Sequence, residues 1–243
     1  MTKRSNTQTG ELLYGAHPII EALKAKQRKI ISIYTTRIVP KSWKRIEKHL
    51  PKRSINIQYV DKPVLEKMAR TPDHMGVVAW FSPFQFRRNM FSPEREPRIL
   101  LLDSVQDVRN LGAILRSAYC TNYDGVVICK SKSAPLTAAA IKSSAGLAEH
   151  MPVYVASSAK TALNEIKQLG YNIYVAALGG KDVNQINFYS PSCLVIGNEE
   201  RGVSKDVLNM GTKVTLPQKE HETSYNASVA AGILMFLTSY GKK

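Results

Sequence analysis

From Arg98 onward, short apolar runs recur between stretches whose apolar residues fall at helical spacing. Runs at 98–102, 125–129, 152–155, 172–177, 193–197 and 213–216 are short and rich in Val, Ile and Leu, so they predict buried strands. The stretches 110–121, 137–146, 159–169, 204–209 and 226–238 predict helices. Strand alternating with helix predicts an α/β domain with a mostly parallel sheet and helices on both faces. Residues 11–82 alternate as well. Pro18–Lys26 places Ile19, Ile20 and Leu23 at helical spacing, with Pro18 suited to a first turn. Ile30–Thr35 predicts a strand and Ser42–Leu50 a basic helix with Trp43 and Ile46 inward. Ile55–Val60 predicts a strand, Pro63–Met68 a helix capped by Asp61, and Met75–Trp80 a closing strand.

Between the two patterned regions, Phe81–Pro97 holds Pro83, Pro93 and Pro97 with charges of both signs. Such a stretch predicts a linker, though its aromatics are not purely spacer-like and can pack on a domain or a base. The expected organisation is therefore a first domain at 1–84, a linker at 85–97 and a second domain at 98–243.

Charge sharpens this division. The 243-residue chain carries a formal net charge of +15. Residues 1–100 hold 20 Lys+Arg against 8 Asp+Glu, and the remainder holds 14 against 11. The first part is a polycation and the second is nearly balanced, which predicts a polyanion-binding module joined to a differently tasked domain. Its candidate contacts are Lys24, Lys26, Arg28, Lys44, Arg45, Lys52 and Arg53. Nucleic acid is favoured over an anionic membrane because no long amphipathic membrane helix is present.

Other classes recede. No apolar run reaches the roughly 18 residues of a membrane span. The N-terminus is polar, so no secretion signal is expected. Cys120, Cys129 and Cys193 are odd in number and form no C-x-x-C pair, which predicts reduced thiols and a cytoplasmic protein. The five histidines have no metal-ligand spacing, so no metal is expected. Neither a phosphate loop nor a G-x-G-x-x-G fingerprint is present.

Three segments combine small residues with polar side chains just after predicted strands. They are Asn110-Leu-Gly-Ala-Ile-Leu-Arg116, Ile196-Gly197-Asn-Glu199-Glu-Arg-Gly202 and Ser224-Tyr225-Asn226-Ala-Ser228. Loops at the carboxyl ends of strands are where open α/β sheets bind ligands, so one composite site is expected. Asn110 can cap a helix. Gly112 and Ala113 permit close approach of another backbone or a substrate. Arg116 can hold a phosphate in a fork of hydrogen bonds.

These segments resemble the three motifs of the SpoU/TrmH-type RNA ribose methyltransferases of the SPOUT superfamily. Lys142-Ser-Ser-Ala-Gly146-Leu-Ala-Glu-His150 is also similar to that family. Leu13-Tyr-Gly15-Ala-His17-Pro18-Ile-Ile-Glu21 and His74-Met-Gly76-Val-Val-Ala resemble its RNA substrate-binding domain. The subgroup most similar is the bacterial 23S rRNA guanosine-2'-O-methyltransferases. The resemblance implies a small ribosomal-protein-like α/β domain followed by a catalytic domain tied in a trefoil knot. It implies S-adenosylmethionine as cofactor, contacted by Leu178, Gly179, Ile196, Gly197, Leu216, Ser224, Tyr225 and Asn226. It implies a homodimer with sites completed across the interface. The catalytic residues would be Arg116, Asn110, Glu199 and Asn226, with Arg116 stabilising a developing alkoxide or gripping the adjacent phosphate and Glu199 or water taking the proton.

The chain also departs from the family pattern. Gln218–Thr223 lacks the family's glycine, Tyr225 replaces a leucine and Ala227 a valine, while Val108-Arg109 stands where Pro-His or Pro-Arg is common. Two alternatives stay open at this point: a non-catalytic RNA-binding or ribosome-assembly protein on the same scaffold, and the same chemistry on tRNA.

Overall fold

The computed structural model describes residues 10–219 and 224–240. Two compact units form, Met1–Gln85 and Phe86–Lys243.

The first unit holds four strands in the order β1-β4-β2-β3. They are β1 (Glu11–Tyr14), β2 (Ile30–Thr35), β3 (Asn56–Tyr59) and β4 (Val77–Phe81), with helices α1 (Ala16–Ala25), α2 (Trp43–Glu47) and α3 (Lys62–Ala69). β4 pairs antiparallel with β1 and β2, and β2 pairs parallel with β3. Leu13, Ile19, Ile33, Ile46, Leu65 and Phe81 are fully buried and form its core. Strand β1 was not expected. It is a four-residue edge strand whose existence depends on pairing Glu11–Tyr14 with Phe81–Val78, a partner too distant in sequence for local pattern to reveal.

Arg28 also departs from expectation. Its side chain has no exposed surface, and its Nη1 donates to Glu11 Oε2 at 2.6 Å. The guanidinium lies 5.7 Å from the ring centres of both Phe81 and Phe84. Glu11 accepts the Phe84 amide as well. Arg28 is therefore an internal brace and not an RNA contact: a desolvated cation must be paired where it sits. Arg53 is partly committed too, since its Nη2 donates to the Ile30 carbonyl at 2.8 Å. Lys24 is exposed beside Glu21, while Lys26, Lys44, Arg45 and Lys52 are exposed.

The second unit is a six-stranded sheet, every pair parallel, in the order β10-β8-β9-β5-β6-β7. Its strands are β5 (Arg98–Leu102), β6 (Gly125–Cys129), β7 (Val153–Ala156), β8 (Asn172–Asp182), β9 (Ser192–Ile196) and β10 (Thr212–Thr215). Its helices are α4 (Val108–Cys120), α5 (Ala138–Ser143), α6 (Ala159–Gln168), α7 (Lys205–Leu208) and α8 (Ala227–Tyr240). Every residue of β6 and β9 is buried, as expected of strands covered on both faces.

The expected linker does not behave as a spacer. Phe91 is 1% exposed, and its ring fills the place a Cβ at Gly125 would take, which is why β6 begins with glycine. Arg87 lies 4.5 Å over the Phe91 ring and pairs with Glu96 at 2.8 Å. The Tyr171 hydroxyl donates to the Glu96 carbonyl. Its aromatics offered packing on a domain or a base, and Phe91, with the Arg87 amide on the Val153 carbonyl and the Tyr171 hydroxyl on Glu96, binds the stretch from Phe86 into the second unit.

A candidate active site at the strand ends of the second unit

The carboxyl ends of β8, β9 and β10 enclose a cavity of about 340 Å³. It is lined by Ile196, Gly197, Val214 and Leu216, with Leu178, Glu199, Ser224, Tyr225 and Leu234. Strand β8 makes room for it. Val175 pairs with Lys213 and Lys181 with Val214, so residues 176–180 bow out of the sheet between successive pairs.

The loop after β9 folds back tightly. Asn198 and Gly202 exchange backbone hydrogen bonds, and a Cβ at Gly197 would stand 2.2 Å from the Gly202 carbonyl carbon. Gly197 therefore permits chain reversal as well as lining the cavity. Asn198 fixes the turn: its Oδ1 accepts the amides of Glu200 and Arg201, and its Nδ2 donates to the Ser104 carbonyl. Buried Asp103, at the end of β5, accepts the Ser204 amide at 2.7 Å. Sequence reading passed over both residues. The available signals were an Asn able to form a local turn between Gly197 and Glu199, and an acid closing an apolar run.

Glu199 joins this loop to α4. Oε1 accepts the Asp107 amide at 3.2 Å and Asn110 Nδ2 at 3.0 Å, while Oε2 accepts the Gln106 amide and Asn198 Nδ2. Partial burial pushes the carboxyl up, but the hydrogen bonds from Asn110 and the backbone outweigh it, so its pKa lies below the ordinary value. A carboxylate holding four donors is a poor proton acceptor and a good clamp.

Asp107, not Asn110, caps α4, because its side chain accepts the Arg109 amide. Asn110 lies buried inside the helix, which frees its amide to reach Glu199. Gly112 does what its lack of side chain suggested: a Cβ there would meet the Ala140 carbonyl at 2.3 Å, so α4 and α5 approach through it. Asn226 begins α8, accepting the Ser228 amide and hydroxyl. The Tyr225 hydroxyl donates to the Pro217 carbonyl at 3.2 Å. It thereby ties together the two sides of segment 220–223, which lies outside the described residues.

Thus Leu178, Ile196, Gly197, Glu199, Leu216, Ser224 and Tyr225 meet at one cavity, with Asn110 linked through Glu199. Gly179 and Asn226 adjoin lining residues without lining the cavity. Arg116 does not line it either: it is exposed on α4 and makes no ion pair among the described residues. Among those residues, no group of three or more His, Cys, Asp and Glu could hold a metal ion, and no helix is long and apolar enough to cross a membrane.

Two family models match the chain. The one described as the SpoU rRNA methylase family covers residues 97–236, and that for RNA 2'-O ribose methyltransferase substrate binding covers 12–87. The Bacillus subtilis protein YacO, named as a TrmH family tRNA/rRNA methyltransferase, is 31% identical over 239 residues, 95% of each chain. A crystal structure of an RNA 2'-O ribose methyltransferase superposes with a TM-score of 0.85 at 21% identity, covering 97% of this chain and 90% of the other. An AdoMet-bound rRNA methyltransferase from Sinorhizobium meliloti superposes with a TM-score of 0.78 at 21% identity, covering 95% and 87%.

Proposed function

The chain belongs to the SpoU rRNA methylase family, and from that premise we propose that it transfers a methyl group from S-adenosylmethionine to the 2'-hydroxyl of a guanosine ribose in 23S rRNA, in the cytoplasm. The observation that carries this reading is that two of the three motif segments line one cavity at the strand ends, while the third, Asn110–Arg116, is tied to its rim by the hydrogen bond from Asn110 to Glu199.

The cavity suits the methyl donor. Its volume of about 340 Å³ is within the usual range for a small-molecule site. Leu178, Ile196 and Leu216 offer an apolar seat for a base, and Ser224 and Tyr225 offer polar groups at its edge. S-adenosylmethionine, when bound, supplies a methyl group on a good leaving group, so the protein's work is alignment and charge control. A guanidinium serves as a cation and not as a base, which sets the part Arg116 plays. It lowers the cost of the developing alkoxide, or grips the neighbouring phosphate, while the proton passes to water. Glu199 holds the start of α4 against the cavity loop and so positions Asn110 and the helix that carries Arg116.

Arg116 reaches a cavity through a second copy of the chain in this reading. Val229, Ile233, Phe236 and Tyr240 are 37–57% exposed and follow one another at helical spacing along α8. A helix apolar on its outward face calls for cover, and a homodimer provides it. The trefoil knot implied by the resemblance belongs to the same reading: α8 returns to α4, where Ser239 donates to the Thr121 carbonyl and Thr238 shares a hydrogen bond with Tyr123.

In the first unit, the exposed Lys26, Lys44, Arg45 and Lys52 dock RNA through its phosphates. The match to the substrate-binding family model supports an RNA rather than a membrane partner. Mass-spectrometric mapping of ribose methylation in 23S rRNA, from cells with and without the gene, tests the whole assignment. A 2'-O-methylguanosine that disappears with the gene is the expected result. Unchanged rRNA together with a missing tRNA mark would move the substrate to tRNA.

A further inference from the structure

The second unit holds 18 Lys+Arg against 13 Asp+Glu, and its basic residues are not evenly placed. The loop after β6 reads Lys130-Ser131-Lys132-Ser133-Ala134. Lys130 and Lys132 are exposed and make no ion pair among the described residues. Lys132 has a φ of 58°, in the left-handed region that non-glycine residues seldom occupy. Neighbouring contacts fix the loop from both sides: the Lys130 amide donates to the Ala156 carbonyl and the Ala134 amide to the Val105 carbonyl.

These anchors put the lysines on the same edge of the sheet as the active site. Strands β9, β5 and β6 are consecutive neighbours and all parallel. Along their carboxyl ends run the cavity loop after β9, then Arg109 and α4 after β5, then Lys130 and Lys132 after β6. Adjacent strands are about 4.8 Å apart, so the lysine loop begins roughly 10 Å from the cavity loop. That distance is on the order of one or two nucleotides of single-stranded RNA. Three acids of the same edge are tied into the fold: Glu199 holds four donors, Asp107 caps α4 and Asp103 holds Ser204. Glu200 is exposed beside the cavity, so the cationic end of this edge is its β6 side, where Lys130 and Lys132 lie.

We propose that Lys130 and Lys132 form an RNA-phosphate rail on the catalytic unit itself, gripping the backbone beside the target nucleotide independently of the basic first unit. This rests on the RNA methyltransferase reading above and adds a second docking surface to it.

The test is the double variant Lys130→Ala/Lys132→Ala of the full chain, with Lys167→Ala as a charge-loss control. Lys167 lies in the last turn of α6, away from the strand ends. Binding to an in vitro transcript of 23S rRNA is measured from low to high salt, and methylation kinetics are measured on the same transcript. With two fewer phosphates neutralised, the slope of log affinity against log salt should become shallower by about 1.4–1.8. KM for RNA should rise about tenfold, with kcat and S-adenosylmethionine binding by calorimetry unchanged, and Lys167→Ala should match the wild type. A double variant with wild-type slope and KM would overturn the rail. So would an equal effect from Lys167→Ala, which would mean bulk charge alone. The salt slope needs no turnover, so it decides the rail even if the wild-type protein fails to methylate the transcript, an outcome that would count against the proposed reaction instead.

Discussion

The two units use charged side chains in opposite ways. In the first, most cations are exposed, and the buried exception, Arg28, is held by Glu11 and two aromatic rings. In the second, apart from the exposed Arg116, the polar groups around the cavity are few and tied to one another, with Glu199 alone collecting four donors. Loose charges attract a polyanion without fixing its register. Locked polar groups fix a geometry at little reorganisation cost when a reaction occurs. The difference matches a division between docking and chemistry.

The sharpest way to break this comparison is Arg116→Ala. It should lower methylation about 10³-fold while S-adenosylmethionine binding, read by calorimetry, stays nearly intact. Substantial turnover by that variant would remove Arg116 from the reaction.

Next is Glu199→Gln, which sets an amide NH2 against donors that now meet a carboxylate. A misplaced α4 start should cost about 10²-fold in kcat/KM. The folded-state pKa of Glu199 is lowered, so its stabilising contribution is present above the ordinary glutamate pKa and is lost as pH falls through the lower folded value. Acid titration of the wild type should therefore weaken the loop only below the ordinary carboxylate range. Glu199→Gln should abolish that acid-side dependence.

In the first unit, Glu11→Ala removes the carboxylate from the buried Arg28 guanidinium, which keeps the Ser82 carbonyl at 3.4 Å, and should destabilise by about 2 kcal/mol. Trp43 and Trp80 are the chain's two tryptophans and both lie in this unit. Urea unfolding followed by tryptophan fluorescence thus isolates the effect. An unchanged midpoint would mean that Arg28 finds another partner.

The smallest effect per residue should come from Lys44→Ala/Arg45→Ala/Lys52→Ala. RNA affinity should fall evenly across sequences, and the salt slope should flatten by about 0.7–0.9 for each phosphate no longer neutralised. An unaltered slope would place RNA docking elsewhere.

Much of this protein was written locally. Strands β5 and β6 run where their apolar residues run, because a strand buried on both faces must be apolar throughout. Gly112 announced a close approach that α5 makes, since backbone contact at that range excludes a side chain. The positions of the three site segments after strands were equally legible, as strand ends and small residues are local features. Tertiary structure decided what depends on partners distant in the chain. Arg28 looked like its basic neighbours until Glu11, Phe81 and Phe84 enclosed it. The linker at 85–97 offered its aromatics to a domain or a base alike, and only the fold set Phe91 in the gap left by Gly125. Asn110 looked like a cap, but Asp107 took that place and left its amide for Glu199, 89 residues away. Sequence periodicity fixes which residues shun water; which polar group meets which depends on how those surfaces pack, and packing is a property of the whole chain.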